Sequence, residues 1–145
     1  MAYLRTAQNK MASTVSAGYM RVAERSLGAG TNAADGGFHE KAGFLAYHAF
    51  ESVGGAFCEA RGVRYHPASH PAKLSRFVQT ARQERFARSA AALASQVASL
   101  RNRVLYPRAI GNGQIEIPED MITNSAARRL LGRIQALQTD VGTVI

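Results

Sequence analysis

The stretch FHEKAGFLAYHAFESVGGAFCEAR, residues 38–61, decides how this chain folds. At helical spacing, Phe38, Ala42, Leu45, Ala49 and Ala56 share one face, while Phe44, Tyr47, Phe50 and Phe57 spread around the others. A helix that is apolar on several sides is either the centre of a bundle or one that also meets a second subunit. Gly54 and Gly55 inside it each cost about 1 kcal/mol of helix propensity, unless close approach of a neighbouring helix offsets that loss.

Helical periodicity continues outward in both directions. Leu4, Met11, Val15 and Val22 fall within a narrow arc with Tyr19 at its edge, which predicts an N-terminal helix over about residues 4–27. The following GAGTNAADGG (28–37) predicts a turn or mobile loop, and its glycines lack the spacing and the preceding strand of a phosphate-cradling loop. In GVRYHPASHP (62–71), Ser69 is placed to cap a third helix and Pro71 to sit in its first turn. Leu74, Phe77, Val78 and Ala81 form that helix's apolar face, and the pattern falters at Gln83–Ser89, where a bend is expected. It resumes as Leu93, Val97, Leu100 and Val104, until Pro107 stops the helix at or before Tyr106. AIGNGQIEIP (109–118) reads as a loop with an extended piece at 114–117. A last helix, over about 118–141, presents Ala127, Leu130, Ile134, Leu137 and Val141 inward. The expected fold is an all-α bundle of four to five helices in a single domain.

Composition narrows the function classes. No apolar run approaches membrane-spanning length, and MAYLRTAQNKMAS turns polar where a secretory signal needs an apolar core. One cysteine, Cys58, permits no internal disulfide and no cysteine-based metal site. A soluble cytoplasmic chain without a cofactor is expected. Net charge is +8, and residues 61–110 carry ten of the 18 basic side chains with a single acid, Glu84. That imbalance favours a polyanionic partner, RNA or a nucleotide, although an acidic protein also satisfies it.

Within the basic segment, LRNRVLYPR (100–108) holds the candidate phosphate-binding residues Arg101, Arg103, Tyr106 and Arg108. Arg101 and Arg103 project about 80° to either side of the buried stripe, where they can lay their stems along neighbouring helices and hold guanidinium forks at a groove. Tyr106 lies about 140° from Arg101 on an unbroken helix, but Pro107 weakens that geometry. It can stack on a base or cap the core. The candidate proton carriers are His66 and His70 in the proline-rich connection. His39 and His48 lie on opposite sides of the second helix, so no shared metal site is expected. Arg82, Arg85 and Arg88 form a second basic run, either a solvated face or an extension of a phosphate-tracking surface.

From residue 38 to 141 the chain resembles the HEPN superfamily of small helical domains. The resemblance rests on FHEKAGFLAYHAFESVGGAF as the long second helix, SHPAKLSRF leading the third, LRNRVLYP ending the fourth and a proline-acidic start to the last. It implies a helical bundle that pairs as a homodimer and acts either as a metal-independent endoribonuclease or beside a nucleotidyltransferase or other protein in toxin–antitoxin or defence systems. The family's ribonuclease motif is an arginine followed, after four to six residues, by histidine. Arg101 matches the arginine, but Tyr106, Pro107 and Arg108 stand at the histidine positions. A phenol, with its pKa near 10, is poorly suited to the proton transfers of RNA cleavage. The departure points to a non-catalytic nucleotide- or RNA-binding branch. The alternatives are an endoribonuclease that uses His70 or His66, and a scaffold or antitoxin-like protein-binding module.

Overall fold

Five α-helices and one hairpin make up residues 2–145, which this computed structural model describes, with side chains from Leu4 onward. The helices are α1 (Ala2–Asp35), α2 (His39–Ala60), α3 (His70–Thr80), α4 (Ala87–Leu105) and α5 (Asn124–Gly142). Strands β1 (Arg108–Gly111) and β2 (Gln114–Glu116) pair antiparallel between α4 and α5. Among the described residues, no helix is long and apolar enough to cross a membrane.

The reading of residues 38–61 resolves to the first alternative, a central helix. Every α2 residue from Ala49 to Cys58 is buried, so the apolar side chains on its several faces are consumed inside one chain. No excess face on this run is left for a second subunit. Phe50 and Phe57 meet Phe77 of α3 with ring centroids 5.5 and 5.9 Å apart, and Phe57 meets Phe86 edge-on at 5.4 Å. Phe38 precedes the helix and is 60% exposed, and Phe44 and Leu45 in its first turns are half-buried.

The glycine pair lets two neighbours approach α2 closely. A Cβ on Gly54 would stand 2.9 Å from the Phe77 ring and the Tyr65 hydroxyl, and one on Gly55 would stand 2.7 Å from the Tyr19 ring of α1. Beside that contact the Ser16 hydroxyl donates to the Ala56 carbonyl at 2.7 Å. The lost helix propensity is thus offset by packing on both sides.

α1 departs from expectation twice. It does not end near residue 27 but runs through the glycine-rich stretch to Asp35. Tertiary contact overrides propensity there: Leu27 and Ala34 are buried, and Gly30 lies where a Cβ would meet Leu131 at 2.7 Å. The helix end is tied down as Asn124 Nδ2 donates to the Ala34 carbonyl at 2.8 Å and Arg128 pairs with Asp35. Gly37, at φ +83°, then makes the turn into α2. Second, the Leu4–Met11–Val15–Val22 arc is not the face that packs. Ser16, Ala23, Ser26, Leu27, Gly30 and Ala34 are buried instead, about 100° around the helix. Small side chains bring α1 close to its neighbours, Leu27 and Tyr19 pack inward with them, and Leu4, Met11, Val15 and Val22 stay in solvent.

Local chemistry sets the start of α3 and the end of α4 as read. Ser69 Oγ accepts from the Ala72 N–H at 3.3 Å with Pro71 in the first turn, and the chain breaks helix between Ala81 and Phe86. Tyr106 leaves α4 in extended conformation, at φ −132° and ψ 141°. The loop expected at 109–118 is a hairpin, turned by Asn112 and Gly113 at positive φ. Pro118–Asp120 forms only a 3-10 turn, and the last helix starts later, where Thr123 Oγ1 accepts from the Ala126 N–H at 3.1 Å.

Gly54→Ala and Gly55→Ala are each expected to destabilise the fold by about 1–3 kcal/mol through overpacking. Gly132→Ala, at an exposed position of α5 with nothing within 4 Å of the added methyl, is expected to stabilise it by about 0.5–1 kcal/mol. Urea unfolding of the three variants measures both signs.

Candidate functional site

Glu51 is the only acid between Ala42 and Cys58, and it is 8% exposed. A buried carboxylate is tolerated only when charge and hydrogen bonds replace water. Three side chains do so. One turn earlier on α2, the Tyr47 hydroxyl donates to Glu51 Oε2 at 2.5 Å. From the first turn of α3, His70 Nδ1 lies 2.7 Å from Oε2 and Lys73 Nζ donates to Oε1 at 3.2 Å. Burial works to raise the Glu51 pKa, but the hydrogen bonds from Tyr47 and His70 and the charge of Lys73 outweigh it and hold the carboxyl below its ordinary value. Burial, then the bond to Glu51, pushes the Tyr47 phenol well above its usual range.

Arg101 reaches the same cluster from α4. Its guanidinium carbon lies 5.6 Å from the Tyr47 ring centroid, and Nη1 donates to Asn102 Oδ1 at 2.9 Å. Its Nε is out of solvent with no hydrogen-bond partner among the described residues. Neither Glu51 nor Glu59 pairs with it: Glu51 is taken by α3, and Glu59 accepts from the Tyr65 backbone N–H at 3.1 Å. His70 meets the Tyr47 ring edge-on at 6.0 Å. Tyr47 is therefore flanked by the arginine and by the histidine, two residues 31 positions apart in the chain.

The structure brings Arg101 and His70 to one tyrosine and leaves the other candidates outside that contact. Arg103 is exposed, with Nη2 3.5 Å from Met121 Sδ, and lines a cleft of about 380 Å³ with Gln96, Asp120 and Ile122. Tyr106 is 63% exposed at the end of α4. Arg108 crosses the hairpin to pair with Glu116 at 2.8 Å, so its guanidinium already has an acidic partner. His66 is exposed in the connection before α3. His39 is held by the Glu119 carbonyl at 2.7 Å and His48 by Ser26 Oγ at 3.3 Å. Among the described residues no three His, Cys, Asp or Glu side chains are grouped to hold a metal ion. Cys58 is buried, 3.7 Å from Thr80 Oγ1, and burial pushes its thiol up to about 11.

Of the ten basic residues between 61 and 110, four are ion-paired: Arg61 with Glu84, Lys73 with Glu51, Arg85 with Asp140 and Arg108 with Glu116. Arg64, Arg76, Arg82, Arg88, Arg101 and Arg103 have no carboxylate partner among the described residues. The excess charge is thus real on the folded surface. Sequence reasoning missed Tyr47, Glu51 and Lys73 as site residues. The available signal was an acid in mid-helix, the only one between Ala42 and Cys58, with a tyrosine four residues before it on the same face. No protein-family model, curated protein or solved structure matches the chain.

Glu51→Ala strands Lys73, whose side chain is 13% exposed, and is expected to cost about 3 kcal/mol in urea unfolding. The pH dependence has a fixed sign. Because the folded pKa of Glu51 is lowered, its stabilisation is fully present above the unfolded value of about 4.3 and is lost as pH falls through the folded value. The acid limb of stability against pH should be shallower in Glu51→Gln than in wild type.

Proposed function

We propose that this chain is a HEPN-like bundle that binds RNA or a nucleotide through phosphate contacts of Arg101, assisted by Arg103, in a defence or toxin–antitoxin setting with a nucleotidyltransferase or another protein as partner. The observation that carries this reading is the state of Arg101. Its guanidinium rests on the Tyr47 face, has no acidic partner among the described residues and keeps Nε out of water. A planar fork held this way is pre-organised for two phosphate oxygens, and little rotamer freedom is left to lose on binding. Arg82 and Arg88, exposed and free of carboxylates, add general attraction for a polyanion.

A second reading, a divergent endoribonuclease, is favoured by the His70–Glu51 contact. A carboxylate on Nδ1 fixes the imidazole orientation and leaves Nε2 as the working nitrogen. In this scheme Nε2 takes the proton of the RNA 2′-hydroxyl as that oxygen attacks the adjacent phosphorus. The 5′-oxygen leaves, is protonated by the imidazolium, and a 2′,3′-cyclic phosphate remains. Arg101 would stabilise the charge on the phosphoryl oxygens.

Arg101→Ala is expected to weaken binding of a short single-stranded RNA or of ATP by about tenfold or more, with unchanged helical circular dichroism. Arg101→Lys, which keeps the charge but loses the fork, should recover only part of it. Fluorescence anisotropy over a salt series measures both, and unchanged affinity in Arg101→Ala rejects the site. Equal affinity for RNA and for unrelated polyanions would instead assign the basic face to an acidic protein. Metal-free cleavage of RNA that disappears in His70→Ala selects the enzyme, whereas binding without cleavage selects the binder.

A further inference from the structure

Of the four histidines, only His70 is paired with a carboxylate among the described residues. Its Nδ1 lies 2.7 Å from Glu51 Oε2. Its Nε2 has no hydrogen-bond partner among the described residues, and the side chain is 47% exposed. One ring nitrogen is committed to the bundle and the other is open to solvent. Against its burial, the bonds from Tyr47 and His70 and the charge of Lys73 keep Glu51 ionised.

A carboxylate on Nδ1 holds the neutral ring with its proton on that nitrogen and the lone pair on Nε2. It also faces the positive charge that spreads onto the ring when Nε2 forms a new bond. Both effects favour Nε2 as a nucleophile. The surroundings suit an anionic electrophile. His70 opens α3, at the partially positive end of that helix. Lys73 lies one turn on, and Arg101 flanks the same Tyr47 ring that His70 meets.

The other three histidines are built-in comparisons. His39 has Nε2 occupied by the Glu119 carbonyl, and His48 Nδ1 meets only the neutral Ser26 hydroxyl. His66 is exposed and, like His70, precedes a proline. Local sequence therefore treats His66 and His70 alike, and the fold separates them.

We propose that His70 Nε2 is a phosphoryl-acceptor site, loaded from a donor of the phosphoramidate class. The Nε2 lone pair attacks phosphorus while the donor's P–N bond breaks. The electron pair of that bond leaves with the already protonated nitrogen as a neutral amine. Nδ1 keeps its proton, and the positive charge on the phosphorylated ring lies against Glu51. Nothing is oxidised or reduced. In the ribonuclease reading Nε2 carries a proton, whereas here it bonds to phosphorus. The site is read with no RNA or nucleotide present, so it stands or falls independently of Arg101 binding.

The test is incubation of the full chain with potassium phosphoramidate at about pH 8, where an ordinary histidine is neutral. Peptide mass spectrometry under non-acidic conditions follows each histidine with time. His70 should be labelled about tenfold faster than His66, the advantage of one charge-assisted hydrogen bond. Phosphorus NMR should place the group on Nε2. A rate at His70 no higher than at His66, or phosphorus on Nδ1, overturns the proposal. The advantage should vanish in the urea-unfolded chain, and its persistence there would assign it to local sequence and overturn the part given to Glu51. Glu51→Gln, which keeps the shape and removes the charge, should bring His70 to the His66 rate. An unchanged rate in that variant at native helix content overturns the proposal. If the variant does not fold, the comparison of His70 with His66 within the wild-type chain decides alone.

Discussion

A carboxylate taken out of water must be given partners, and Glu51 sits in the helix around which the others pack. Its partners come from the same helix through Tyr47 and from the first turn of α3 through His70 and Lys73. That requirement fixes how the start of α3 lies on α2. It also fixes Tyr47, because the hydroxyl is committed to the carboxylate and the ring can turn little. Arg101 then finds a stationary aromatic face 5.6 Å away. A polar solution to a burial problem thus positions the cation on which the functional reading rests.

The same economy governs α2 as a whole. A helix apolar on several sides needs neighbours at several sides, and the two glycines set how close they come. Where Gly54 and Gly55 remove Cβ atoms, Phe77 and Tyr65 approach on one flank and Tyr19 on the other. Aromatic rings then fill the space between α2, α3 and the turn after it. The bundle is built outward from this contact zone, and the basic segment 61–110 is displayed on the helices that cover it.

Much of this was legible in the residues. The central helix, the Ser69 cap, a break expected at 83–89 and found between Ala81 and Phe86, and the stop at Pro107 each follow from local patterns that survive folding. The extension of α1 was not legible, because GAGTNAADGG has poor helix propensity and is held helical by Leu131, Leu45 and Asn124, contacts far away in sequence. Nor could periodicity choose between the two faces of α1, since it finds the large apolar arc and not the small-residue face that permits close packing. At the site, Arg101 and His70 were identifiable as residue types. Their meeting at Tyr47 depends on α3 and α4 both docking on α2, and no spacing within either segment encodes that.

Tyr65 is wholly buried and its hydroxyl has no hydrogen-bond partner among the described residues, while Tyr19 and Tyr47 are also held in protonated form by their surroundings. The chain has five tyrosines and no tryptophan. Its near-ultraviolet absorbance therefore comes largely from phenols, several of which stay un-ionised in alkali for as long as the bundle holds. An alkaline absorbance titration is thus an intrinsic optical gauge of core integrity that needs no attached dye.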